Sequence, residues 1–149
     1  MGDFMSVETI LKTKGSTVYS VRPEHAVSDA AALMSAKKVG VALVCDGKGR
    51  LHGVISERDI VNGITQFGKG LLDMPVRNIM TSPVVTCTPA DTAKGILEVM
   101  TKRRIRHLPV VDGDGRLCGI VTIGDVVKSR LDEAAMEVDN LRHYVVAAR

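Results

Sequence analysis

A hydroxyl followed three residues later by a carboxylate occurs at two places where chemistry could be done: Ser56 with Asp59, and Thr122 with Asp125. Each pair follows an apolar run, Gly53-Val54-Ile55 in one case and Gly119-Ile120-Val121 in the other, where a strand would hand over to a helix. Two uses of such a pair compete. In a capping box the side chains satisfy backbone donors that the first helical turn leaves unpaired. In a ligand site the helix N-terminus and the hydroxyl receive a phosphate, while the carboxylate grips two ribose hydroxyls. A phosphate also requires positive charge. Lys102, Arg103, Arg104, Arg106 and His107 supply it in the second half of the chain, whereas the first half has Lys37 and Lys38 followed by Val39-Gly40. Cations at a helix C-terminus complement its dipole and are commonly only solvated, which suits Lys102 and Arg103. Arg106 differs, because it directly precedes the strand-like run His107-Leu108-Pro109-Val110.

The two pairs occupy one place in a duplicated unit. Val18 to Val61 aligns without a gap onto Val84 to Val127, offset by 66 positions. Identities include Pro23/Pro89, Met34/Met100, Asp46/Asp112, Gly49/Gly115, Gly53/Gly119 and Asp59/Asp125, most of them turn or polar residues rather than interchangeable hydrophobes. Each copy is too small to bury a good core alone, so the two should pack face to face about a pseudo-twofold axis. The cleft between them is then the place for a ligand.

Within one copy the order reads β-α-β-β-α. Val84-Val85-Thr86 is a short β-rich run, and Asp91 or Thr92 offers an N-cap for a helix through about Arg103. Ala93, Ile96, Leu97 and Met100 mark its buried face, repeated by Val27, Ala30, Ala31 and Met34. Strands follow near Leu108 to Val111 and Leu117 to Val121, joined by Asp112-Gly113-Asp114-Gly115, a hairpin signature matched by Asp46-Gly47-Lys48-Gly49. A second helix begins at Thr122 in one copy and Ser56 in the other. Gln66 to Ile79, with Gly68, Gly70 and Pro75, reads as a linker. After Gly124 the last helix runs long, its Val127, Leu131, Ala134, Val138, Leu141 and Val145 forming a heptad-like seam.

Composition bounds the remaining choices. At 149 residues the chain is one ordinary domain, too short for a (β/α)8 barrel, which needs about 250 residues. Its 45% hydrophobic and 25% charged residues suit a folded, soluble protein, and no apolar run is long enough to span a membrane. The amino terminus lacks the charged-then-apolar layout of a secretory signal, so cytoplasmic residence is expected. Met1-Gly2 with Ser6 has the form of a myristoylation signal, but Asp3, Phe4 and Met5 read as a plain start. Cys45, Cys87 and Cys118 fall in apolar stretches without metal-ligand spacing, so buried reduced thiols are expected.

Both copies of the strand-to-helix signature, Gly53-Val54-Ile55-Ser56-Glu57-Arg58-Asp59-Ile60 and Gly119-Ile120-Val121-Thr122-Ile123-Gly124-Asp125-Val126, resemble those of tandem cystathionine-β-synthase (CBS) domains. The resemblance covers Gly15 to about Leu131, and small stand-alone bacterial CBS-pair proteins are similar in layout. It implies an α/β (α+β) fold of two pseudo-symmetric β-α-β-β-α repeats with an extended C-terminal helix. It divides the chain into a first repeat with its amino-terminal segment (1–65), a linker (66–79), a second repeat (80–130) and a helical extension (131–149). It further implies non-catalytic binding of an adenine nucleotide such as AMP, ADP, ATP or NAD, or of S-adenosylmethionine, and assembly of two pairs into a flat homodimer. Carried over residue by residue, one site would comprise Asp125, Thr122, Arg106 and His107, with Ser16, Tyr19, Val21 and Val39 around the base. The pseudo-symmetric site would comprise Asp59, Ser56, Gly40, Ser82, Val85, Cys87 and Ile105. With Gly40 in place of Arg106, the second site should bind more weakly.

Other functions fit the residues less well. The chain has no Gly-x-Ser-x-Gly elbow, Walker A loop, paired Cys-x-x-Cys ligands or His-Glu-x-x-His helix. The Gly-x-Gly groups lie in hairpins rather than between a strand and a helix, which rules out a dinucleotide fingerprint. Asp112-Gly-Asp114 meets Arg116 where a calcium loop needs its next ligand. A sequence pI near 8.9 invites a nucleic-acid reading. The net charge of only +3, with two Phe and two Tyr, argues against it. A dimerisation scaffold that binds no ligand stays open.

Overall fold

The computed structural model describes residues 5–147; the myristoylation-like pattern extends into residues outside that range. Among the described residues are five α-helices and two small sheets, which apart from α1 and one short strand follow the expected order. Helix α1 (Val7–Lys14) leads to β1 (Ser20–Val21), α2 (Val27–Lys37), the hairpin β2 (Val41–Cys45) and β3 (Leu51–Ser56), and α3 (Glu57–Phe67). After two 3-10 turns, Gly68–Asp73 and Val76–Asn78, come α4 (Ala93–Arg103), the hairpin β4 (His107–Val111) and β5 (Leu117–Thr122), and α5 (Ile123–Ala147).

The duplication reappears in backbone detail. Both hairpins are antiparallel and break register at matching places, Val44/Cys45 and Val110/Val111. Both turns are closed by an aspartate whose Oδ1 accepts two backbone N–H bonds, Asp46 from Lys48 and Arg50, and Asp112 from Asp114 and Arg116. Gly49 and Gly115 each take φ of +78°, a conformation that explains why glycine recurs there. Arg50 and Arg116, equivalent residues, form an antiparallel bridge with each other. A residue meets its own copy only at a local twofold axis, so the hairpin tips mark where that axis runs.

One strand is shorter than its copy. In the first half, Leu43 N donates to Tyr19 O at 2.9 Å, and β1 pairs in parallel with β2. The equivalent of Leu43 is Pro109, which has no N–H to give to Val85. The expected strand at Val84-Val85-Thr86 is therefore reduced to a single bridge, Cys87 to Val110.

Two cores result, one per half, and each borrows from the other half's sequence. The first gathers Val21, Ala30, Met34, Ala42, Val44 and Ile55, and it is completed by Val76, with Ile79 and Met80 packed against it. The second gathers Ala93, Ile96, Met100, Leu108, Val110, Val121 and Val126, and it is completed by Val7 and Ile10 of α1. Backbone bonds lock the exchange. Val7 N donates to Asp91 O and Ala93 N to Met5 O, while Val76 N donates to His25 O and Val27 N to Met74 O. Helix α1 was not expected from the sequence. Its start is set by Ser6, whose side chain accepts from Thr9 N, and its end by Gly15 at φ +94°.

The borrowed segments also account for Gly53 and Gly119. A Cβ on Gly53 would lie 2.7 Å from Met80 Sδ, and one on Gly119 would lie 2.9 Å from Leu11 Cδ2. The strand that carries each signature is thus shaved to admit the other half's leader.

Segment 66–79 is largely wrapped onto the first half. Leu71 is 1% exposed, and a Cβ on Gly63 would stand 2.7 Å from its Cδ1. Helix α5 is buried early, at Val126 and Ser129, and tied to the other end of the chain where Met5 N donates to Glu133 Oε1. From Ala134 to Val145 every residue is exposed.

The thiols follow the cores. Cys45 and Cys87 are buried and Cys118 is half-buried; burial, with Asp91 nearby, pushes Cys87 up to about 12. In the native protein an aromatic disulfide reagent is expected to titrate Cys118 first, with Cys45 and Cys87 reacting only on unfolding. Three thiols titrating together at native rates would contradict the packing.

Candidate functional site

Each signature forms a capping box. Ser56 Oγ accepts from Asp59 N at 3.2 Å, and Asp59 Oδ2 accepts from Ser56 N at 2.9 Å. Thr122 Oγ1 accepts from Asp125 N at 3.2 Å, and Asp125 Oδ2 accepts from Thr122 N at 2.9 Å. The helix starts are further pinned through the backbone, since Glu57 N donates to Gly40 O and Ile123 N to Arg106 O. Capping thus uses the same residues that a ligand would meet.

Beyond the cap the two aspartates diverge. Asp59 is bonded at both oxygens: Oδ2 also accepts from Ser56 Oγ, and Oδ1 accepts from Thr81 Oγ1 at 3.1 Å. Asp125 accepts on Oδ2 from Thr122 N and, at 2.6 Å, from Lys14 Nζ. Lys14 also donates to Ile120 O at 3.0 Å. Burial pulls the Asp125 carboxyl upward, but the Lys14 and Thr122 bonds outweigh it and hold the group below its ordinary value.

A cavity of about 410 Å³ opens beside Thr122 and Lys14. One wall is Val41 and Leu43 of β2, faced by His107, Ile120 and Thr122 of the second half. The rest comes from two connections, Lys14, Thr17, Val18 and Tyr19 before β1, and Lys38, Val39 and Gly40 before β2. It therefore lies at the junction of the halves. Its volume is in the range of small-molecule sites. Burial, then Lys14 and Arg106, lowers the His107 imidazole, which is uncharged at neutral pH. Lys37 Nζ lies 5.5 Å from the centre of the Tyr19 ring, so the phenol is already paired with a cation.

Of the residues named for the Asp125 site, Thr122, His107, Tyr19 and Val39 line this cavity. Arg106 is exposed beside it, Ser16 is exposed next to the lining Thr17, and Val21 is buried in the first core. The residues named for the Asp59 site are not brought together in the same way. Ser56 caps Asp59, but Gly40 lines the Asp125 cavity, Cys87 is buried in the second core, and Val85 and Ile105 pack against that core. Ser82 lines a separate shallow groove with Val84 and Thr86. Sequence reasoning did not single out Lys14 or Thr81. Lys14 belongs to a helix that the gapless alignment does not reach, and Thr81 carries no motif.

A cavity walled by two like halves, with a helix cap at its edge, defines a tandem-repeat module. The CBS domain model matches the sequence twice, over residues 7–65 and 76–132, and the chain belongs to the CBS domain family. Its fold matches the CBS-domain containing protein ATU1752 from Agrobacterium tumefaciens with a TM-score of 0.81 and 38% identity, over 87% of this chain and 96% of that one. It also matches the CBS domain protein PAE2072 from Pyrobaculum aerophilum complexed with AMP, with a TM-score of 0.76, 26% identity and coverage of 88% and 99%. The CBS domain pair of MJ0100, in complex with 5'-methylthioadenosine and S-adenosyl-L-methionine, matches with a TM-score of 0.75, 26% identity and coverage of 89% and 98%. The matched starts, Val7 and Val76, coincide with the two exchanged leader segments.

Proposed function

We propose that this chain is a regulatory, non-catalytic module that binds an adenine nucleotide or a related adenosine ligand in the cavity beside Asp125 and passes its presence to a partner protein. The observation that carries the reading is the position of the Thr122–Asp125 cap at the edge of a cavity between the halves. There a carboxylate held ionised, with Oδ1 left for a ligand hydroxyl, stands next to Lys14. AMP, ADP, ATP, NAD(H) and S-adenosylmethionine all present the ribose that Asp125 would grip. The bound ligand of PAE2072 and those of MJ0100 support an adenosine class. Cytoplasmic residence, expected from the sequence, is part of the same proposal; no helix among the described residues is long and apolar enough to cross a membrane.

Ligand-linked stability tests this directly. At 100 times its dissociation constant a ligand should add about 2.7 kcal/mol of stability. For a domain of this size that raises Tm by about 5 to 11 °C. Melting with each of the five ligands, and with GMP as control, is expected to show such a rise for at least one adenosine compound. No rise with any of them would favour a scaffold that binds no ligand.

A homodimer is the second part of the proposal. On α5, Leu131 and Leu141 are 65% and 63% exposed, and Val127, Val138 and Val145 fall on the same seam. An apolar stripe of this length on a lone helix marks an interface. Truncation after Ala134 spares the Met5 and Ser129 contacts, and it is expected to raise the dimer dissociation constant in sedimentation equilibrium. A full-length monomer at high concentration would defeat the proposal.

A further inference from the structure

The basic side chains that line the Asp125 cavity are Lys14, Lys38 and His107. No carboxylate lines it. Asp125 lies one residue back, ion-paired with the lining Lys14 at 2.6 Å, and Glu57 stands behind Gly40, its Cδ 3.7 Å from where a Cβ on that glycine would be. Arg106 and Lys37 add positive charge at the rim, Arg106 next to the lining His107 and Lys37 over the Tyr19 ring. His107 is uncharged at neutral pH, so the balance inside is one neutralised pair and one further cation, Lys38.

We propose that Lys14 is a specificity-determining residue that makes this cavity select phosphate-bearing adenosine ligands over an adenosyl sulfonium. The inference rests on the function proposed above and deepens it. With Lys14 in place, the carboxylate that would attract a sulfonium is already compensated, while a phosphate gains the Lys38 ammonium and shares that of Lys14 with Asp125 in a partly dehydrated site. Lys14 reaches the site because α1 is docked on the opposite half. Its four-carbon stem lets the ammonium stay near Asp125 while a ribose hydroxyl takes Oδ1, or swing toward a phosphate. Helix α1 lies outside the gapless repeat, and no matching lysine serves Asp59, where Thr81 takes the equivalent role. The discrimination therefore belongs to one site.

Calorimetry on the full chain, with AMP, ATP, adenosine and S-adenosylmethionine, tests the assignment on wild type, Lys14→Met and Lys14→Arg. Wild type is expected to bind AMP and ATP more tightly than adenosine or S-adenosylmethionine. Lys14→Met should weaken AMP roughly ten- to hundredfold, the loss for one hydrogen bond to a charged group, with adenosine unchanged or tighter. The AMP to S-adenosylmethionine gap should narrow accordingly, and Lys14→Arg should preserve it. In wild type, added NaCl should weaken AMP but not adenosine, a readout that needs no variant. Equal or tighter binding of S-adenosylmethionine by wild type would overturn the inference, as would equal weakening of AMP and S-adenosylmethionine by Lys14→Met. Either result would leave adenosine binding intact, whereas failure of wild type to bind any of the four would remove the functional reading and this inference together.

Discussion

Ile10→Ala is expected to lower the stability of the whole chain by about 2 to 5 kcal/mol, the loss for a buried branched aliphatic truncated to alanine. Ile10 is 5% exposed and packs in the second core with Met100, Leu108 and Val121, residues about a hundred positions away in sequence. The space it would leave lies among buried side chains of β4, β5, α4 and α5. Ile64→Ala serves as the contrast, because Ile64 is 56% exposed and its loss should fall within about 0.5 kcal/mol. Urea denaturation of the two variants reads the difference as a shift in midpoint at constant slope. A loss below about 1 kcal/mol for Ile10→Ala would mean that α1 is not docked in solution, and the supply of Lys14 to the cavity would go with it.

Asp125→Ala is expected to weaken the best-binding adenosine ligand by about 1.5 to 3 kcal/mol, the range for hydrogen bonds to a charged group. Asp59→Ala should change it far less. The asymmetry does not rest on Arg106 alone. Asp59 already receives bonds at both oxygens, from Ser56 and Thr81, so a ribose would have to displace a protein hydroxyl. Asp125 takes its bonds from Lys14 and Thr122 on one oxygen, and both of those residues line the cavity. Arg106→Ala should weaken a phosphate ligand by less than Asp125→Ala, since the Arg106 side chain is exposed to water. Both aspartates cap helices, and losing a cap costs about 1 kcal/mol of stability. Affinities are therefore to be compared at a temperature where all three variants are folded. Loss of binding in Asp59→Ala alone would reverse the assignment of the sites.

Much of this architecture was legible because its determinants are local. The Asp-Gly turns, the 3.6-residue spacing of Ala93, Ile96 and Met100, and the Ser/Thr-x-x-Asp caps each act within a few residues. Their recurrence at a fixed offset made the reading redundant. What was not legible depended on distance. Helix α1 is short and its partners lie in the other half. The three-residue difference between the leader spacing, Val7 to Val76, and the spacing within the repeats hides the match from a gapless comparison. The missing strand at Val84-Val85-Thr86 turns on the lack of one N–H at Pro109, in a neighbouring strand rather than in the run itself. At the site, Thr122, His107, Tyr19 and Val39 could be named from the signature and its resemblance. Lys14 could not, because only the docking of α1 brings an ammonium to Asp125.

The exchange of leader segments also orders events during synthesis. Helix α1 leaves the ribosome before the elements that bury it: the strands and helices that cover Val7 and Ile10 end at Val126. At 5 to 20 residues per second that residue is added roughly 6 to 23 s after Ile10. Val76, which completes the first core, is added 50 residues before Val126, so the first half can close while α1 still has nowhere to hide its apolar face. A nascent chain of this protein therefore closes its first core before its second, and α1 is the segment that waits longest for its partners.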